Sequence, residues 1–248
     1  QVLHHLRWDG RRHPQGAQAH VAGTIGLQGG GPLDLTVSAD AVQIAGLLQA
    51  FERSEIPASG VMSATAKVAG TVARPIANVH VKASELVAYN EMWGTLVGDA
   101  RASGRRIDVD SVVVDKPQDS GNGRITATGS YQLDDRRYDL RLQSEKLHLV
   151  SLVLPGNRAV TGAIDITARG AGTIEQPAGE VNLRAGDLIV GNYAIGSVVA
   201  DTTLANRTAS TFARAERFGV TVKSEIGVER PYQATLASGA IHTLQHAS

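Results

Sequence analysis

A long internal repeat constrains this chain more than any other feature. The stretch from Gly60 reads GVMSATAKVAGTVARPIANVHVKASEL, and the stretch from Gly162, 102 residues later, reads GAIDITARGAGTIEQPAGEVNLRAGDL. Residues 60–101 and 162–203 align without a gap, and roughly a third of the aligned positions are identical. The identical pairs include Gly70 and Gly172, Pro75 and Pro177, Val79 and Val181, Leu86 and Leu188, Asn90 and Asn192, Gly94 and Gly196, and Asp99 and Asp201. Repeats of this length stack on one another, so the sequence predicts one continuous array.

The remainder of the repeat unit recurs as well. YDLRLQSEKLHL at 138–149 resembles LDLTVSADAVQI at 33–44 and YQATLASGAIHTL at 232–244. We therefore expect residues 1–22 to end a preceding unit and residues 23–248 to form a continuous array, with units near 60–161 and 162–248. Because the chain starts at Gln1 without a methionine or a signal-like segment, we expect it to be a piece of a longer protein.

Apolar and polar residues alternate through most of the chain, as in strands with one buried and one wet face. Turn signals such as KPQDSGNG and DDRR separate these segments about every ten to twelve residues. The pattern predicts an all-β protein, an elongated antiparallel sheet of about twenty strands with one apolar face. Candidate residues on that face are Met62, Val68, Val79, Val81, Ile107, Val109, Ile125, Leu140, Leu142, Leu147, Leu149, Ile164, Ile166, Val181, Leu183, Leu188, Val190, Val220, Val222 and Leu236.

The periodicity changes in one place. Within residues 42–55, Ile44, Leu47, Leu48 and Phe51 follow the spacing of one helical face, which predicts a short helix. The corresponding residues 150–154 fit either a helix or a strand, so we expect one or two short helices. Upstream, residues 21–27 and 33–38 flank the turn GGGP and predict a hairpin, and one strand is expected near residues 2–8.

Composition excludes several classes of function. Lys plus Arg and Asp plus Glu both number 24, so no basic surface for nucleic acid is expected. Cysteine is absent, which excludes disulfides and thiolate metal sites. No apolar run approaches the roughly 20 residues of a membrane-spanning helix. Aromatic residues make up only 4%, so Val, Ile, Leu and Ala must supply the core.

No motif in the sequence predicts catalysis. Nucleophile elbows, phosphate-binding loops and paired carboxylates in recurring contexts are absent, so we expect neither an enzyme nor a cofactor. The histidines lack metal-ligand spacing; His80, His148 and His242 occupy polar strand positions. The oxygen-rich segment 115–123 resembles a calcium loop in composition, but it lacks regular acidic spacing and a closing glutamate, which favours a hairpin loop.

The unit G-x-[MI]-x-x-[TA]-A-x-x-x-G-T-[VI]-x-x-P, followed by V-x-[VL]-x-A-x-x-L and Y-x-L-x-L-x-S-x-x-L-x-L, resembles the repeats of TamB and the AsmA-like bridge proteins of the diderm bacterial envelope. The likeness covers nearly all of the chain from about Gly23. It implies a sheet curled into an open trough, a β-taco, with the apolar face inside. It also implies a periplasmic protein, anchored in the inner membrane outside this sequence, that carries phospholipid to the outer membrane and meets an outer-membrane barrel partner.

Three hypotheses follow. The first is a hydrophobic conduit for phospholipid acyl chains, lined by the candidate residues above. The second is a scaffold that offers strand edges to outer-membrane proteins or autotransporters during assembly. The third is a closed β-solenoid or sandwich that acts as an adhesin and has a filled interior.

Overall fold

The computed structural model describes residues 3–9, 17–26, 30–154, 157–229 and 233–243, and side chains for residues 17–26, 30–154 and 157–227 of these. The described residues are almost entirely β-strand. The strands are β1 (Leu3–Asp9), β2 (Gln18–Gly26), β3 (Pro32–Gln43), β4 (Ala58–Thr71), β5 (Arg74–Ala88), β6 (Glu91–Ser103), β7 (Arg106–Lys116), β8 (Gly123–Gln132), β9 (Arg137–Glu145), β10 (Leu147–Leu154), β11 (Arg158–Thr173), β12 (Pro177–Val190), β13 (Tyr193–Ala205), β14 (Thr208–Ala215), β15 (Val220–Glu229) and β16 (Gln233–Thr243).

One α-helix accompanies the strands in this part of the chain, α1 (Ile44–Ala50), with short 3-10 turns at Gln118–Ser120 and Glu216–Phe218. The helix confirms the prediction from spacing but ends before Phe51, whose side chain is 74% exposed. The corresponding segment 150–154 belongs to strand β10. Pro155, which follows that segment in the sequence, lies outside the described residues.

The chain divides into two compact units, Gln1–Asp115 with Thr128–Asp134, and Lys116–Ala127 with Asp135–Ser248. In the first unit β1 to β7 pair antiparallel in chain order. In the second, β11 pairs with β9 and β10 on one side and with β12 on the other, and β12 to β16 follow in chain order. The open, antiparallel, all-β class predicted from the sequence is confirmed.

The strands are fewer and longer than the sequence suggested. Sixteen are present among the described residues, against the expected number of about twenty, and β11 runs for 16 residues. The longer strands account for the smaller number, and bulges let several of them continue past a break in the alternation of apolar residues. Where apolar residues move from odd to even positions within a strand, the sequence pattern resembles two strands although the backbone forms one.

The pairing register repeats with the sequence. In the first unit Met62 lies opposite Ala83, and 102 residues later Ile164 lies opposite Ala185. The bulges repeat too, since the β4–β5 register shifts at Gly60 and the β11–β12 register shifts at Gly162. The repeat in sequence is therefore a repeat in strand pairing.

Glycine is required at both bulges. Gly60 has a φ of 140°, and an added Cβ would lie 2.9 Å from the carbonyl oxygen of Ser84. Gly162 has a φ of 139°, and its Cβ would lie 3.0 Å from the carbonyl oxygen of Gly186. Other residues rarely adopt this region, because the side chain collides with the backbone. The first glycine of each copy thus lies opposite the two residues of the bulged partner strand and permits their close approach.

Replacement of Gly60 by alanine should lower the free energy of unfolding by about 1–3 kcal/mol, since the alanine must hold a strained φ against a backbone oxygen. Gly162→Ala should behave alike. Gly46→Ala is the control, because this helical glycine has open space around its Cα, and alanine should stabilise α1 by up to about 1 kcal/mol. Thermal unfolding followed by circular dichroism measures all three. Equal stability of Gly60→Ala and wild type would contradict the assigned bulge.

Candidate functional site

In the first unit the register places apolar side chains together on one side of β3 to β7. Partners directly opposite one another in antiparallel strands project from the same face, so each set of partners forms a row across the sheet. The four rows are Leu35, Val68, Ala77, Ala102 and Ile107; Val37, Ala66, Val79, Ala100 and Val109; Ala39, Ala64, Val81, Gly98 and Val112; and Met62, Ala83, Leu96 and Val114. These rows, which contain no polar side chain, are the apolar face of the first unit.

The second unit builds an equivalent apolar face. Its rows are Leu140, Gly170, Gly179, Leu204, Ala209 and Ile226; Leu142, Ala168, Val181, Thr202, Thr211 and Ser224; Ile166, Leu183, Ala200, Ala213 and Val222; and Leu147, Ile164, Ala185, Val198, Ala215 and Val220. Every row is apolar except the second, which contains three hydroxyl side chains. Neither face carries a charged residue.

Both faces are incompletely covered. Nearly all of their side chains are half-buried, and only a few members, such as Ala83 and Ala185, are buried. A sheet with an apolar side normally buries it against a second layer. Among the described residues of the first unit, α1 is the one helix near β3 and β4, so most of the face is still open to solvent or to a ligand.

The structure distributes the predicted residues over these two faces. Those on the face of the first unit are Met62, Val68, Val79, Val81, Ile107 and Val109, and those on the face of the second are Leu140, Leu142, Leu147, Ile164, Ile166, Val181, Leu183, Val220 and Val222. Leu140 and Val181 are the most open, with 43% and 39% exposure.

The remaining predicted residues are buried or lie outside the open rows. Leu147 and Ile164 belong to the fourth row of the second face but are buried, and Leu149, opposite Gly162, is buried as well. Leu188 and Val190 follow the bulge of β12, where Val190 lies opposite the buried Val160. Ile125 is half-buried on β8, and the side chain of Leu236 lies outside the described residues.

Sequence reasoning missed part of the first face because of a bulge. Asp99 pairs with Ser111 but Ala100 pairs with Val109, so Asp110 is an extra residue in β7. Before Asp110 the odd-numbered residues Ile107 and Val109 lie on the apolar face. After Asp110 the even-numbered residues Val112 and Val114 lie on it instead. Within the run of valines at 112–114 the sequence offers no signal for this change.

A buried hydroxyl holds a different bulge, which lies in the second unit. Ser144 is 5% exposed, and its Oγ accepts a hydrogen bond of 2.8 Å from the backbone nitrogen of Ile166. Strand β11 pairs with β9 as far as Gln143 and with β10 from Leu147 onward. Between these two residues the regular pairing is interrupted, and Lys146 has a φ of 49°. Ser144 thus replaces the strand carbonyl that the bulge removes from the ladder.

On the opposite side of the strands the described residues are mostly polar and form no assembled catalytic or metal site. His80 Nδ1 lies 2.8 Å from Asp99 Oδ1, and Ser111 Oγ donates to Asp99 Oδ2 at 3.4 Å. Because the hydroxyl bonds to the carboxylate and not to the imidazole, this trio lacks the nucleophile–base contact of a hydrolase triad. Among the described residues, no His, Asp or Glu side chains form a group that could hold a metal ion.

The oxygen-rich loop at 115–123 is a hairpin connection closed by a lysine. Residues 118–120 form a 3-10 turn that ends at Gly121 in the left-handed conformation, and the Lys116 ammonium group donates to the carbonyl oxygen of Ser120. A cation is therefore already present against one of the loop's carbonyls. The structure agrees with the hairpin interpretation and disfavours a calcium site.

Comparison of the chain with protein families, curated proteins and solved structures finds no match. None of the helices among the described residues combines the length and the apolar character needed to cross a bilayer.

Removal of the Ser144 hydroxyl should destabilise the second unit. In Ser144→Ala the part-buried backbone nitrogen of Ile166 loses its acceptor, at a cost of about 1–3 kcal/mol. Ser111→Ala is the matched control, since its hydroxyl bond is long and lies on the exposed side, and it should change stability by less than about 0.5 kcal/mol. Urea unfolding curves measure both variants. A Ser144→Ala loss no larger than that of Ser111→Ala would contradict the role given to this hydroxyl.

Proposed function

We propose that this chain is a segment of a hydrophobic conduit that carries phospholipid acyl chains between the inner and outer membranes across the periplasm. The observation that supports this most is the apolar face of the first unit, four uninterrupted rows of aliphatic side chains that are still half-exposed. Such a surface has an unfavourable contact with water, and acyl chains would replace that water with a gain of roughly 0.8 kcal/mol per buried CH₂.

The character of the side chains suits a ligand that slides. The rows consist of Ala, Gly, Val, Leu, Ile and Met, without a charge that would fix one end of the ligand at one place. Binding pockets for a fixed ligand instead combine apolar walls with a few convergent polar groups. A uniform wall makes successive positions along the face nearly equal in energy, which permits movement between them.

The repeat extends the same surface along the chain. Because the register and the bulges recur after 102 residues, each unit presents its aliphatic rows in the same order. A longer protein built from such units would offer acyl chains an apolar surface in each of them. The resemblance to TamB and the AsmA-like proteins adds the proposed setting: an inner-membrane anchor and an outer-membrane barrel partner, both supplied by parts of the protein other than this segment.

A charge on each apolar face tests the proposal. The chain is purified without detergent, extracted with organic solvent and analysed for phospholipid by mass spectrometry, for the wild type and for Val81→Glu with Leu183→Glu. We expect the variant to retain on the order of a tenth of the wild-type lipid or less, because an unpaired carboxylate against hydrocarbon costs more than the 1.4 kcal/mol that corresponds to tenfold.

The matched control is Asn78→Glu with Asn182→Glu, which adds the same charge to exposed positions on the opposite side of the same strands. It should keep the wild-type lipid content, and circular dichroism shows whether each variant is folded. A folded wild type without phospholipid would refute the conduit. If that lipid-free protein bound unfolded outer-membrane protein strands, the scaffold hypothesis would replace it.

A further inference from the structure

One row of the second unit breaks the otherwise aliphatic face with hydroxyl groups. Thr202 and Thr211 lie directly opposite each other on β13 and β14, with their Oγ1 atoms 3.0 Å apart, and Ser224 on β15 is the next partner in register. All three side chains are half-buried. We call Thr202, Thr211 and Ser224 the hydroxyl row.

The rows on either side of the hydroxyl row are aliphatic. On one side stand Ala200, Ala213 and Val222, and on the other Leu204, Ala209 and Ile226. In the first unit the positions 102 residues before Thr202 and Thr211 are Ala100 and Val109, which also face each other. The same scaffold thus accepts an aliphatic pair here, and the hydroxyls are not needed for the fold.

The hydroxyl row has hydrogen-bonding capacity left over. Two hydroxyl groups joined by one hydrogen bond use one of their two hydrogens, so one O–H of the threonine pair still needs an acceptor. Ser224 supplies another O–H beside it. A hydrocarbon chain cannot accept either bond, and a half-buried polar group without a partner is unfavourable. A ligand that covers this row must therefore bring an acceptor or leave water in place.

We propose that the hydroxyl row binds the carboxylic ester groups of a diacyl lipid, with the ester carbonyl oxygens accepting from the threonine pair and from Ser224. This inference rests on the proposed function and adds a preferred position to it. Lipid would cross the first unit through aliphatic contacts alone and would pause at the second unit with its ester groups at this row. The carbonyl is the acceptor nearest the acyl chains in a phospholipid, so it is the one able to reach a row enclosed by aliphatic side chains.

Two probes that differ only in the ester carbonyls test the proposal. They are a short-chain diacyl phosphatidylcholine that stays monomeric in water and the dialkyl ether analogue with the same chain length. Isothermal titration of the full chain gives the two dissociation constants. We expect the wild type to bind the diester about threefold to tenfold more tightly, the gain of one or two neutral hydrogen bonds.

Thr202→Val with Thr211→Val should remove this preference while retaining binding of the ether, since valine keeps the shape of threonine. Thr203→Val with Ser210→Ala is the control, because these two residues face each other on the same strands but on the opposite side of the sheet, and it should keep the preference. Thr202→Ser with Thr211→Ser retains both hydroxyls and should keep it as well, which guards against an effect of altered packing.

The outcomes separate the two proposals. Equal affinity of the wild type for both probes, or an ester preference that survives in the valine variant, would overturn the hydroxyl row while leaving the conduit intact. Failure of the wild type to bind either probe would overturn the conduit and the hydroxyl row together.

Discussion

The cross-strand register is the constraint on which the rest of this structure depends. Side chains alternate with a period of two, so a slip of one residue between neighbouring strands would move every apolar side chain to the opposite side. In this chain each of the long strand pairs keeps its aliphatic rows aligned over most of its length, as with Ala66 opposite Val79 and Ala168 opposite Val181. The face exists only because these alignments persist from strand to strand.

Bulges are the means by which the register is kept while the strands lengthen. Gly60 and Gly162 each lie opposite two residues of the bulged neighbouring strand, in a backbone conformation that other residues avoid, and they fall at corresponding places in the two copies. Where a glycine is not used, a side chain helps, as Ser144 does by accepting from the backbone of β11. Ahead of these glycines the two copies differ: the segment before β4 forms the helix α1, and the corresponding segment before β11 forms the strand β10.

The sequence was sufficient for the class of fold and for most of the face, because both follow from periodicity. Alternation identified Val79 and Val81 as members of the first face and Leu183 as a member of the second, and spacing located α1. Periodicity was not sufficient where a bulge changes the phase, as at Asp110, because the run of valines that follows reads the same in either phase. Periodicity also does not show how deeply a side chain is buried. Leu149 and Val181 both occupy apolar positions of an alternating pattern, yet Leu149 is 3% exposed and Val181 is 39% exposed.

An incompletely covered aliphatic face carries a physical cost that shapes the whole chain. Such surfaces favour aggregation unless something occupies them, and soluble proteins rarely retain large ones without a use. Stability must then come mainly from the ladders between neighbouring strands, each of which holds without a deep core, as in repeat proteins whose units contact only their neighbours. Because backbone pairing between strands stabilises the fold, the side chains of the face do not need to pack in a core and can differ between the two copies. Ala100 and Val109 in one unit and Thr202 and Thr211 in the other differ in this way, at half-buried positions of the two faces where the backbone pairing is the same.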